Sequence, residues 1–211
     1  MSYLNSKLVL KTPPATEPVT LAEAKLHCRV DASDDDAWFN TAIAAARSAC
    51  ETQCRRAFIT QVWTLYLDRF PGASSGSSWA SESPTFRDKR AIRMPMPPLA
   101  SVASITYVDV NGATQTLAAN KYQVDDKDDP GVIVPAYGES WPDTRDQLNA
   151  VAIEFTAGQA SNLDPRVKQG VLMLVAHWYE NRETVVVGAM TREIEMAVCY
   201  LMGQMWNGTL R

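Results

Sequence analysis

Histidine is nearly absent from this chain, with only His27 and His177 in 211 residues. That scarcity removes the commonest general base and metal ligand from most of the molecule. Cysteine is scarce too. Cys28, Cys50, Cys54 and Cys199 form no Cys-x-x-Cys pair, so neither redox-dithiol nor zinc-ribbon spacing is present. An excess of base is also missing. Twenty Lys and Arg face 24 Asp and Glu, a formal charge of −4. Duplex affinity comes mostly from neutralising phosphates, so this balance argues against non-specific DNA binding. No apolar run approaches the ~20 residues of a membrane span, and the apolar run in MSYLNSKLVLKTPP is too short for a signal peptide. The expectation is a soluble, cytosolic protein with no membrane partner. Phosphate-loop, dinucleotide, nucleophile-elbow and zinc-protease motifs are all missing.

What is present is core-forming material. Apolar residues make up 46% of the chain and charged residues 21%, which suits a folded domain with a modest insertion. The first 17 residues read as an extended arm, because Pro13, Pro14 and Pro18 deny them a helix. Thr20 with Glu23 three positions on is a capping box for a short helix, in which Leu21, Ala24 and Cys28 share a face. Asp34, Asp35 and Asp36 follow. Three adjacent carboxylates suit the positive end of a helix dipole better than a metal. Phe39, Ile43, Ala46, Cys50, Cys54 and Ala57 then keep helical spacing, and Cys50 and Cys54 read as small core-filling side chains. Arg47, Glu51, Arg55 and Arg56 are expected in solvent or at a subunit contact.

The period changes to two at QVWTLYLDRF, which reads as a strand. A Gly, Ser and Pro-rich stretch over 71–90 reads as a flexible loop. Further strands are expected at Val102–Val110, in TQTLAANKYQVDD, in GVIVPAY and at Ala150–Gly158, with Asn111-Gly112 as a hairpin turn. That makes five or six antiparallel strands between residues 59 and 158. Asp164 and Pro165 open a helix to about Arg182, with Val167, Val171, Leu174, Val175 and Trp178 as its stripe. Ile194, Val198, Leu201 and Met205 predict a last helix, ended by Trp206, Asn207 and Gly208. The fold class is therefore α+β. A helical core (18–58 and 159–184) is interrupted by a β-rich antiparallel insertion (59–158), with a tail or helix at 185–211.

Candidate chemistry is sparse. Asp126 and Asp128 resemble the start of a calcium loop, but Pro130 takes the third ligand position and Tyr137 the place of the closing Glu. A solvated turn is the better reading. His177 lies near Glu180 and Glu183 on a helix, with no marked nucleophile. Trp63, Tyr66, Trp79, Tyr107, Tyr122 and Trp141 are not interleaved with Lys and Arg, so core and turn packing suits them better than base stacking. Met196, Met202, Met205 and Trp206 either cover the core or anchor a partner. No cofactor, metal or catalytic residue is expected.

Taken together, PVTLAEAKLHCRVD, AAARSACETQCRRAF, QVWTLYLDRFP, MPMPPLASVASITYVDVNG, NKYQVD, VAIEFTAG and DPRVKQGVLMLVAHWYENRE resemble, in this order, the head–tail connector family of tailed bacteriophages. These are also called adaptor or head-completion proteins. The resemblance covers roughly residues 17–184. It implies a non-enzymatic virion protein of the neck, present in host cytoplasm during assembly. Such a protein forms a ring of about twelve copies under the portal, extends the DNA channel without specific DNA binding, and offers a platform for the next neck or tail protein. It also implies portal contact through Thr191 to Arg211, which include Ile194, Val198, Leu201, Met205 and Trp206. The alanine-rich second helix would then pack against its neighbour in the ring through Ala42, Ala46, Arg47 and Arg55. The competing reading is a DNA-binding or packaging accessory protein using Arg47, Arg55, Arg56, Arg87, Lys89 and Arg90.

Overall fold

The computed structural model describes residues 6–72, 90–159, 163–181 and residue 201. In chain order the elements are β1 (Lys7–Thr12), α1 (Leu21–Cys28), α2 (Asp36–Cys54), β2 (Gln61–Leu67), β3 (Ile92–Arg93), β4 (Leu99–Val108), β5 (Thr114–Thr116), a 3-10 turn (Ala119–Lys121), β6 (Tyr122–Asp125), β7 (Val132–Pro135), β8 (Val151–Ala157) and α3 (Pro165–Glu180). The chain divides into two compact units. Among the described residues, one joins Pro14–Ile59 to those from Gln159 on, and the other joins residues 6–13 to those of Thr60–Gly158. The α+β class is as expected.

The helical unit begins as the sequence dictates. Thr20 Oγ1 accepts from Glu23 N at 3.3 Å, and Glu23 Oε2 accepts from Thr20 N at 2.9 Å, closing the capping box. Asp36 opens α2, but no side chain caps it. Asp35 instead accepts from the Tyr179 hydroxyl at 2.9 Å, and Asp36 pairs with Lys25 at 2.6 Å. The left-handed residue Arg55, φ 52°, ends α2. Asp164 caps α3 through Arg166 N at 2.9 Å, with Pro165 in the first turn. The stripe Phe39, Ile43, Ala46 and Cys50 of α2 shares one buried cluster with Val167, Val171 and Val175 of α3. Removing each such side chain from water contributes roughly 1.5–3 kcal/mol for the larger residues.

In the other unit, a five-stranded sheet has the order β1-β2-β8-β4-β5 and a three-stranded one β3-β7-β6. Every pairing among these named strands is antiparallel. The period-two pattern of β8 is literal: Val151, Ile153, Phe155 and Ala157 are fully buried, and the residues between them are half-buried. Leu65 and Leu67 of β2 lie opposite Ile153 and Val151 on that same face. Phe70 stacks on Trp141 with centroids 4.8 Å apart, and the indole N–H of Trp141 donates to Arg90 O at 2.7 Å. Asn111-Gly112 makes the expected turn. Gly112 sits at φ +89°, and Asp109 N–H donates to Ala113 O at 2.9 Å.

Three expectations change. The N-terminal arm is a sheet strand over Lys7–Thr12, paired along β2, because Leu8 and Leu10 find Leu65 and Trp63 opposite them. TQTLAANKYQVDD does not continue one sheet. Only Thr114–Thr116 joins β4, and after the 3-10 turn Tyr122–Asp125 pairs with β7 in the second sheet. Residues 59–158 thus hold seven strands among the described residues. The expected loop at 73–89 and most of the expected last helix lie outside the described residues.

Candidate functional site

The helical unit carries the surface of most interest, and α2 sets it out. This helix has three charged side chains, Asp36, Arg47 and Glu51, and each is paired within the chain. Arg47 Nε donates to Glu17 at 2.7 Å, and Arg47 Nη1 donates to Glu51 Oε2 at 2.6 Å. Glu51 Oε1 also accepts from Phe58 N at 2.8 Å. This corrects the expectation of solvated charges, since Glu51 is only 3% exposed and Arg47 is largely covered. The physical reason is the turn after α2. It brings the Phe58 N–H back over the helix end, where a buried donor needs an acceptor. Burial pushes the Glu51 carboxyl up from its ordinary pKa, against the pull of Phe58 N–H and Arg47.

With those charges closed inward, the outer line of α2 is Thr41, Ala45, Ser48, Ala49 and Thr52, all exposed and neutral. A solvent-facing helix side normally carries charge. Beside this line lies an open groove of about 360 Å³ lined by Trp38, Thr41, Ala42, Ala45, Trp178 and Asn181. Its floor is held by an aromatic cluster. Trp38 meets Phe39 edge-on at 5.2 Å, and Phe39 stacks on Tyr179 at 4.8 Å.

The residues expected to pack a ring fall in different places. Ala42 and Ala46 belong to the chain's own core, at 5% and 0% exposure. Arg47 is tied into the pairs above, and Arg55 is exposed at the end of α2. Of the expected portal-binding residues, Leu201 is helical and half-buried. Ile194, Val198, Met205 and Trp206 lie outside the described residues. Trp178 was expected only in the apolar stripe of α3, and Trp38 was not singled out. The spacing of Trp38, Thr41, Ala42 and Ala45 at i, i+3, i+4 and i+7 is the signal that marks them as one face.

The remaining candidates offer little chemistry. Asp125 Oδ1 accepts from Lys127 N at 2.9 Å and Asp128 N at 3.3 Å, which makes the acidic cluster a self-bonded turn. Among the described residues no group of three or more His, Cys, Asp or Glu is arranged to hold a metal ion. His177 is half-buried on α3, with Nδ1 3.2 Å from Asn181 Nδ2. Cys50 and Cys54 are buried, and Cys28 is half-buried. No described helix is long and apolar enough to cross a membrane.

Comparison with known proteins gives two findings. Residues 18–87 match the family model of phage gp6-like head-tail connector proteins, which bears out the resemblance read from the sequence over that stretch. Among solved structures, a chain of the "Virion of native gene transfer agent (GTA) particle" is 24% identical with TM-score 0.68, covering 97% of this chain and 96% of that one. A chain of the "Neck of empty GTA particle computed with C6 symmetry" is 24% identical with TM-score 0.67, covering 94% of each. A chain of the "Neck of native GTA particle computed with C12 symmetry" is 21% identical with TM-score 0.59, covering 92% and 94%. This chain therefore shares their fold along nearly its whole length. No curated protein matches it.

Proposed function

We propose that this chain is a structural, non-enzymatic protein of a phage-like neck. It forms a ring beneath the portal, extends the DNA channel and presents a platform for the next neck or tail protein. The observation that carries this reading is the end-to-end fold match to chains of gene transfer agent necks, over more than nine-tenths of both partners. The connector family match over 18–87 supports it independently. The C6 and C12 symmetries of those necks support a ring, and C12 is the symmetry that a ring of twelve copies would have.

The chemistry of α2 fits. Closing a ring requires that a helix face lose water cheaply. A line of methyl and hydroxyl groups without a free charge meets that need, since burying an unpaired ion costs several kcal/mol. Ring packing through this part of α2, with Arg55 at its end, refines the expectation built on Ala42, Ala46 and Arg47. Portal contact falls to residues 191–211, including Ile194, Val198, Leu201, Met205 and Trp206. The net charge of −4 suits a wall past which DNA slides, because repeated negative charge repels phosphate over a Debye length of ~8 Å. The DNA-binding alternative loses one member of its basic patch, because Glu17 and Glu51 neutralise Arg47.

Electron microscopy of the purified chain mixed with the portal protein of the same particle tests the proposal. The expected result is a ring stacked coaxially on the portal. Absence of any complex across a concentration series overturns it. DNA retention at low salt that weakens steeply as salt rises would favour the accessory-protein reading instead.

A further inference from the structure

Four outer strands of the β unit, β1, β5, β3 and β6, have a free edge among the described residues, and the edges of β1 and β6 are complementary. β1 pairs only with β2, and β6 pairs only with β7. Each exposes apolar side chains, with Val9 at 38%, Leu10 at 42% and Val124 at 38%. Free strand edges of this kind template pairing with another chain. Their flanks differ in sign. Lys7 opens β1, while Lys11 at its far end is already paired with Glu154 at 2.7 Å; Asp125, Asp126, Asp128 and Asp129 end β6 with only Lys127 among them.

The edges also lie on opposite flanks. β1 is three strand spacings from β4 in the sheet, roughly 14 Å. The three-stranded sheet is fastened at the β4 side. Gly131, just before β7, packs on Leu99 of β4 so closely that a Cβ would lie 2.6 Å from Leu99 Cβ. One molecule thus cannot bring its own β1 to its own β6, but a second copy can supply it. A contact between different patches of identical chains is heterologous and generates a ring when the rotation closes.

We infer that the β1 edge of one copy adds to the β6 edge of the next, antiparallel, with Val9 opposite Val124 and Lys7 opposite Asp126. The inference rests on the ring reading above and gives the ring a directional contact. The nearest rival edge is β5, but Thr114–Thr116 has three residues and no charge.

Site-directed cross-linking tests it. Val9→Cys and Val124→Cys proteins are prepared separately, mixed under assembly conditions with portal protein and oxidised. Opposed strand residues have Cα atoms about 4.5–5.5 Å apart, within disulfide reach. The expected result is a covalent dimer in the mixture and none above the wild-type background in either protein alone. Cross-linking of Val9→Cys with itself, or with Gln115→Cys in place of Val124→Cys, overturns the inference. A second arm reads charge. Lys7→Glu should weaken assembly about fivefold at low salt, and Asp126→Lys added to the same chain should restore it. Failure of that rescue also overturns the inference. Wild-type rings without the Val9–Val124 cross-link leave the ring reading standing and remove this contact. Absence of any wild-type assembly removes both.

Discussion

Glu51 is the residue whose loss the structure predicts most sharply. It is a carboxylate at 3% exposure, and the Arg47 guanidinium and the Phe58 N–H both bond to it. Arg47 Nη1 lies 2.6 Å from Oε2, Phe58 N lies 2.8 Å from Oε1, and Glu17 shares the same guanidinium at 2.7 Å. Truncation to alanine strands the Phe58 N–H, which costs about 1–3 kcal/mol when a buried donor is left alone. It also removes half of the neutralisation of Arg47. Breaking a buried ion pair outright costs about 3–5 kcal/mol, but Glu17 remains, so about 1–2 kcal/mol is the expected share. Glu51→Ala should therefore destabilise the unit by about 3–4 kcal/mol. Glu51→Gln keeps an oxygen for Phe58 and removes a charge that burial already penalises. Its cost should be near 1 kcal/mol. Urea unfolding of the dilute protein, followed by the helical circular dichroism signal, measures both. The reasoning fails if Ala costs less than about 1 kcal/mol, or if Gln costs as much as Ala.

Glu23 supplies a pH test. The hydrogen bond from Lys168, then those from Thr20, hold its carboxyl down to about 2 from 4.5. A depressed folded pKa stabilises above the unfolded value and is lost as pH falls, so this contribution should fade from about pH 4.5 towards 2. The side chain is 39% exposed, so solvent screening limits the effect to below ~1 kcal/mol. Melting curves of Glu23→Gln should show less acid dependence than wild type in that window, and parallel curves would refute the assignment. Gly131→Ala would place a Cβ 2.6 Å from Leu99 Cβ and 3.1 Å from Asp125 O, an overpacking worth about 1–3 kcal/mol in thermal unfolding. Gly138→Ala has open space but φ +78°, so about 1 kcal/mol of backbone strain is its whole expected cost. Arg55→Gly should stabilise by about 0.5–1 kcal/mol, since Arg55 holds φ 52° where glycine is at ease. Weaker ring assembly by that same variant would then report a lost contact and not a lost fold.

Local signals were readable in the sequence because they are local. Thr20 with Glu23, Asp164 with Pro165, and Asn111 with Gly112 each satisfy backbone groups within a few residues, and each is seen. The stripe of α2 and the alternation of β8 were readable for the same reason, since one period decides which face is buried. Pairings set by distant chain were not. Lys7–Thr12 has too short a pattern to declare itself a strand, and its partner β2 begins about fifty residues later. The division into two sheets depends on where Thr114–Thr116 stops pairing, which no composition reveals. Glu51 looked like a surface glutamate because its acceptor role is defined by Phe58, beyond the helix end. The groove was half visible: Trp38, Thr41, Ala42 and Ala45 share a helical face, but Trp178 and Asn181 reach it only through the packing of α3 on α2.

In the proposed ring, the two units would divide the demands of assembly between them. On α2, Asp36, Arg47 and Glu51 are consumed by Lys25, Glu17 and one another, which leaves an outer line of Thr41, Ala45, Ser48, Ala49 and Thr52. Such a face loses water at little cost, but it is nearly featureless along its length. Methyl and hydroxyl groups tolerate a slip of one turn, so this face alone sets closeness and not register. A ring of identical copies needs register as well, because an error of a few degrees per contact opens the ring into a helix. Strand edges provide it. Backbone pairing repeats every two residues, and a one-residue slip turns every side chain to the other face. Placing Lys7 against Asp126 then selects one register from the set. In that ring the neutral helix face would contribute adhesion, and the charged, hydrogen-bonding edges would contribute direction. For this reason Lys7→Glu should lower the yield of closed rings more than it lowers association between pairs of copies, a difference that mass photometry of the two species measures directly.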